Sequence, residues 1–162
     1  MNFNDFVGMQ LPERDWAKVL ETKAFIVVGK EAYETAGIGV KEQNKEKAMF
    51  IIPTIVNLSF AIELYMKSYI NKKIENHYLD GLFKEMPEKI QNLLIAELIE
   101  NHGVTSAEEF NQKLKDVRRV FIDWRYFYEH KESQMVIDLE FLNLLLFAIS
   151  SLDVLWENDD YE

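Results

Sequence analysis

The chain has no cysteine among its 162 residues. Neither a disulfide framework nor a thiolate metal site is therefore available, and a reducing, cytoplasmic setting is expected. Its six glycines form no phosphate-binding loop, because Gly37-Ile38-Gly39 lacks a third glycine and a preceding strand. No H-E-x-x-H or Glu-x-x-His pair occurs, which excludes the ligand spacing of a zinc protease or a di-iron carboxylate bundle. No metal and no cofactor are expected. The longest uncharged runs, 49–62 and 141–152, fall short of the ~18 apolar residues of a membrane span, so no membrane partner is expected. Residues 1–10 carry no secretory leader pattern.

Basic charge is also scarce, with a formal net charge of −10. Its distribution decides what that means. After Lys131 there are eight acidic residues and no Lys or Arg, so residues 1–131 hold 20 acidic against 18 basic side chains. The acidity belongs to the last helix and to a short tail, 157–162, which reads as a solvated end. A broad basic face tracking a duplex is excluded, while a pocket-confined contact with nucleic acid is not.

What the chain does have is helical periodicity. At 48% hydrophobic it is long enough for one domain, 1–162, burying roughly two-thirds of its unfolded surface. Apolar residues recur at a period near 3.6 in every long segment, and none alternates as a strand. Helices are expected over 12–36, ended by Gly37-Ile38-Gly39; over 50–74, with Pro53 in the first turn; over 87–101, capped by Gly103; over 105–128, from a capping box at Thr105-Ser106-Ala107-Glu108; and over 138–156. The fold class is all-α, an up-and-down bundle of four long helices plus shorter pieces. His77 and His102 stand alone near helix ends and read as surface or capping histidines.

The stretch Asp123-Trp124-Arg125-Tyr126-Phe127-Tyr128-Glu129-His130 sets a permanent cation and an imidazole in the most aromatic part of the sequence. Val117, Val120, Phe121, Trp124, Phe127 and Tyr128 share one arc of a helical wheel, with Arg125 at its edge and His130 about 140° away from Arg125. A guanidinium at such a border needs a partner. Glu63, at the margin of the stripe of the second helix, has two readings. Either it makes an exposed pair with Lys67 one turn later, or it answers Arg125 across the helix interface.

Asn57-Leu58-Ser59-Phe60-Ala61-Ile62-Glu63-Leu64-Tyr65-Met66-Lys67 resembles the A-I-E-L-Y-L-K helix of the HEPN superfamily. Arg125 and His130 are similar to its signature of Arg, four to six residues, then His. His77-Tyr78-Leu79 with Leu82-Phe83 is similar to the G-H-D-L…L-F connector of many members. The resemblance covers about 50–130. It implies an HEPN-like helical domain, commonly a homodimer, and a metal-independent endoribonuclease of toxin–antitoxin, abortive-infection or RNA-processing type, with RNA or a nucleotide and an antitoxin protein as partners. Arg125 and His130 would then be catalytic, Arg125 holding the phosphate and His130 moving protons in a cleft shared between two copies. Glu63 and Glu129 would support the arginine, and Tyr126 and Lys67 would meet the substrate. Active members usually carry Asn, Asp or His where Tyr126 stands, so the alternative is a catalytically inactive HEPN-like module that binds a nucleotide, RNA or protein.

Overall fold

The structure, a computed structural model, describes residues 12–125 and 137–157. These form α1 (Trp16–Lys41), α2 (Lys45–Ala48), α3 (Ile51–Ser68), α4 (Leu79–Glu85), α5 (Glu88–Asn101), α6 (Ala107–Asp116), α7 (Val120–Arg125), α8 (Leu139–Ser151) and α9 (Val154–Glu157), with no strand among the described residues. The architecture is an all-α bundle. Helix α3 is its axis, packing against α1, α4, α7 and α8.

The central place of α3 follows from its composition. Ile55, Leu58, Ile62, Tyr65 and Met66 are all within 1% of full burial, and Ser59 is buried too because its hydroxyl donates back to the Ile55 carbonyl at 2.7 Å. By length and composition 45–68 is apolar enough to cross a membrane, but half of it is buried inside the protein. The remaining core comes from Leu79, Leu82, Ile90, Leu93, Phe110, Phe141 and Leu145, each of them shielded from solvent.

Several helix boundaries differ from the sequence expectation. Helix α1 starts at Trp16 rather than Pro12, because the Asp15 side chain accepts from the Lys18 N–H as the N-cap. It runs through both glycines to Lys41. Gly39 is retained inside it for close approach, since a Cβ there would lie 2.2 Å from the Ala48 backbone nitrogen. Helix α3 stops at Ser68 rather than Ile74, and the Ser68 carbonyl accepts from the Asp15 N–H at 2.8 Å. The capping box sits one residue further on than expected: Ser106 accepts from the Glu109 N–H, and the Glu109 carboxylate accepts from the Thr105 N–H at 2.8 Å.

One further difference shapes the site. The single helix expected over 105–128 is broken between Asp116 and Val120. The break is stabilised from outside, because the Arg118 carbonyl leaves the helical ladder and accepts from Leu79 N–H at 3.0 Å. That one bond ties the start of α4 to the start of α7. Helix α5 and its Gly103 at φ 73° stand where the sequence placed them.

Candidate functional site

Glu63 and Lys67 lie one turn apart on α3, on the side where the 71–78 connector returns. Glu63 is not marginal as its position in the stripe indicated; it is 1% exposed. A buried carboxylate must be paired. Its Oε1 accepts from Lys67 Nζ at 2.8 Å and meets His77 Nδ1 at 2.8 Å. The second oxygen, Oε2, has no hydrogen-bond partner among the described residues. The carboxylate offered to Arg125 in the sequence reading is thus engaged by Lys67 and His77 instead.

His77 is correspondingly more than a surface or capping histidine. Its side chain is 40% exposed, with the buried carboxylate behind it. Because a carboxylate only accepts, Nδ1 carries the hydrogen. In the neutral ring Nε2 is then the lone-pair nitrogen, able to take a proton from a bound group. A buried carboxylate that fixes the tautomer and orientation of a half-exposed imidazole is one arrangement that general acid–base catalysis uses.

Arg125 reaches the same neighbourhood through aromatic packing. Phe25, Phe60 and Phe121 form a column from α1 through α3 to α7, with centroid spacings of 4.7 Å at each step. The Arg125 guanidinium carbon lies 4.8 Å over the Phe121 ring, and the His77 ring is 6.2 Å from Phe121. Phe121 is therefore a shared wall, with an exposed cation on one part and the Glu63-backed imidazole on another. Both side chains thus pack on one ring; a guanidinium can pair with an anion, and an imidazole can take or give a proton. Tyr126, Glu129 and His130 lie outside the described residues.

Tyr78, next to His77, is the N-cap residue of α4 and is 42% exposed. The guanidinium carbons of Arg118 and Arg119 lie 5.9 and 6.0 Å from its ring. In the sequence Tyr78 stands out only as part of the connector motif, and Arg118 and Arg119 not at all. They become neighbours only through the Leu79–Arg118 backbone bond. A cleft of about 450 Å³ opens on the other side of Lys67, lined also by Lys18, Lys72 and Lys73. Its cations are balanced, since Lys18 pairs with Asp15, Lys72 with Glu85 and Lys73 with Glu75.

A second polar cluster, also missed, docks the two ends of the described chain onto α3. The Arg14 side chain is fully shielded, pairs with Asp153 at 2.5 Å and donates from Nε to Ser68 Oγ at 3.2 Å. Tyr65 donates to the other Asp153 oxygen at 3.0 Å, and the Tyr69 ring lies 4.3 Å from the guanidinium. Burial pushes the hydroxyls of Tyr65 and Tyr69 well above the ordinary phenol range, with the Asp153 carboxylate adding to the shift and Arg14 opposing it. The sequence around Arg14, Glu13-Arg14-Asp15, is charged throughout and gives no sign of burial. His102, by contrast, is the C-cap residue of α5, with Nε2 3.4 Å from Glu97. No three His, Asp or Glu side chains converge to hold a metal ion among the described residues.

Compared with models of protein families, with curated proteins and with solved structures, the chain has no match in any of the three.

Proposed function

We propose that this chain is an HEPN-like, metal-independent endoribonuclease in which His77 and Arg125 act on one RNA phosphodiester. The observation that carries the reading is the 2.8 Å contact between His77 Nδ1 and the buried Glu63, beside the Arg125 that stacks on Phe121. In the proposed step His77 Nε2 takes the proton of a ribose 2′-hydroxyl. The 2′-oxygen bonds to the adjacent phosphorus, the bond from phosphorus to the 5′-oxygen breaks, and His130 protonates the departing oxygen. Arg125 holds the phosphoryl oxygens as charge accumulates on them. Glu63 touches no substrate and acts by positioning His77. Lys67 shares its carboxylate and keeps the pair electrically balanced.

A homodimer belongs to the same proposal. The outer side of α1 exposes Leu20, Val27 and Ile38, a surface suited to a second copy. A cytoplasmic role in a toxin–antitoxin or phage-defence setting, with an antitoxin protein as partner, fits the chemistry.

The test is cleavage of single-stranded RNA by the purified full chain in chelator. Products ending in 2′,3′-cyclic phosphate are expected. His77→Ala and Arg125→Ala should each lower the rate by roughly 10²–10⁴-fold while the chain stays folded by circular dichroism. Undiminished cleavage by both variants would overturn the reading. RNA bound but left intact by the wild type would assign the same surface to the inactive, RNA-binding module instead.

A further inference from the structure

The chain has four arginines, and their placement is uneven. Arg14 is buried against Asp153, while the other three fall within the eight residues 118–125. In a chain of net charge −10 this is a local concentration of positive charge, and it lies around His77 and Tyr78. Of the three, Arg119 pairs with Asp123 at 3.3 Å. Arg118 meets no carboxylate among the described residues.

Tyr78 itself is held firmly at its backbone and left open at its side chain. Its carbonyl accepts from Gly81 and Leu82 N–H groups at 3.0 and 2.9 Å, and its own N–H is taken by Asn76 Oδ1 at 2.9 Å. The ring is 42% exposed, and its hydroxyl makes no hydrogen bond among the described residues. The two flanking guanidinium groups, at 5.9 and 6.0 Å, stand further off than the 4.3 Å of Arg14 on Tyr69 or the 4.8 Å of Arg125 on Phe121. A partly exposed aromatic ring with two arginines close by, on a backbone held by three hydrogen bonds, is what an unpaired nucleobase stacks on, with its phosphates drawn to the cations.

We infer that Tyr78, with Arg118 and Arg119, is a base-stacking subsite for the nucleotide next to the phosphate handled by His77 and Arg125, so that RNA is taken as a single strand. This rests on the endoribonuclease reading for its substrate class. It also explains why an acidic chain needs no broad basic face. Stacking draws its affinity from a π-surface, and only a few phosphates have to be neutralised. Duplex RNA, whose bases are already stacked on one another, cannot offer a base to Tyr78.

The test separates binding from cleavage by using a short, fluorescein-labelled 2′-O-methyl oligoribonucleotide, which lacks the attacking hydroxyl. In fluorescence anisotropy the full chain should bind it. Tyr78→Ala should weaken binding by roughly tenfold or more, while Tyr78→Phe, which keeps the ring, should bind as the wild type does. Arg118→Ala and Arg119→Ala should each weaken binding and flatten its salt dependence. The same sequence annealed as a duplex should compete poorly. No binding by the wild type, undiminished binding by Tyr78→Ala, or equal competition by the duplex would each overturn the subsite. The endoribonuclease reading is judged separately on the oligomer with free 2′-hydroxyls. Equal cleavage by wild type, His77→Ala and Arg125→Ala would sink that reading while leaving the binding result standing.

Discussion

His77 Nδ1 and Glu63 Oε1 lie 2.8 Å apart across fourteen positions of sequence, and the same carboxylate oxygen holds Lys67 Nζ at 2.8 Å. One buried charge thus orients an imidazole and an ammonium together. Replacing it separates the two consequences. Glu63→Gln keeps an acceptor oxygen but not the charge, so cleavage should lose kcat with KM little changed, the signature of a positioning residue. Glu63→Ala also removes the charged hydrogen bonds and should lower stability by about 1.5–3 kcal/mol in urea unfolding. An unaltered kcat in Glu63→Gln would show that the carboxylate serves packing alone.

The Arg14 and Asp153 pair should matter to stability and not to cleavage. The guanidinium is wholly shielded and Asp153 nearly so, and breaking a buried pair leaves an uncompensated charge. Arg14→Ala or Asp153→Ala is expected to cost about 3–5 kcal/mol, and the double variant much less than the sum of the two. A double-mutant cycle by chemical denaturation measures this. Additive losses would contradict direct coupling.

Alkaline pH should weaken the same cluster. Burial raises the folded-state phenol values of Tyr65 and Tyr69 above those of the unfolded chain. The stability these groups contribute is fully present below the unfolded value of about 10, and it is lost as pH rises beyond it toward the folded values. The expected slope is about 1.4 kcal/mol per pH unit for each tyrosine above that point. Tyr69→Phe should reduce it. Unfolding curves collected on either side of that value decide the matter, and a flat profile would refute it.

Two glycines of α1 make opposite predictions. A Cβ at Gly37 meets nothing within 4 Å, so Gly37→Ala should stabilise the helix by about 0.5–1 kcal/mol. A Cβ at Gly39 would lie 2.2 Å from the Ala48 nitrogen and 2.5 Å from the Lys47 carbonyl carbon, backbone atoms that cannot swing away. Gly39→Ala should therefore destabilise by about 1–3 kcal/mol. Thermal melts of the two variants should move in opposite directions.

The sequence by itself determined the all-α class, the position of α5 with its Gly103 cap, and the helix carrying Glu63 and Lys67. Each of these rests on local physics: a 3.6-residue apolar period, a positive φ that glycine accepts, and the one-turn spacing of two side chains. Arg125 was legible as a cation at the edge of an apolar arc for the same reason. Tertiary structure alone decided the rest. The helix break after Asp116 depends on a carbonyl at Arg118 finding an N–H at Leu79, far away along the chain. Glu63 is buried because other segments cover it. His77 meets that carboxylate because the connector returns to it, and Tyr78 meets Arg118 and Arg119 because the Leu79 N–H bonds the Arg118 carbonyl. Hydrogen bonds and burial between distant segments leave no period in a sequence, so the partners of Glu63 and of Tyr78 appear only once the chain is folded.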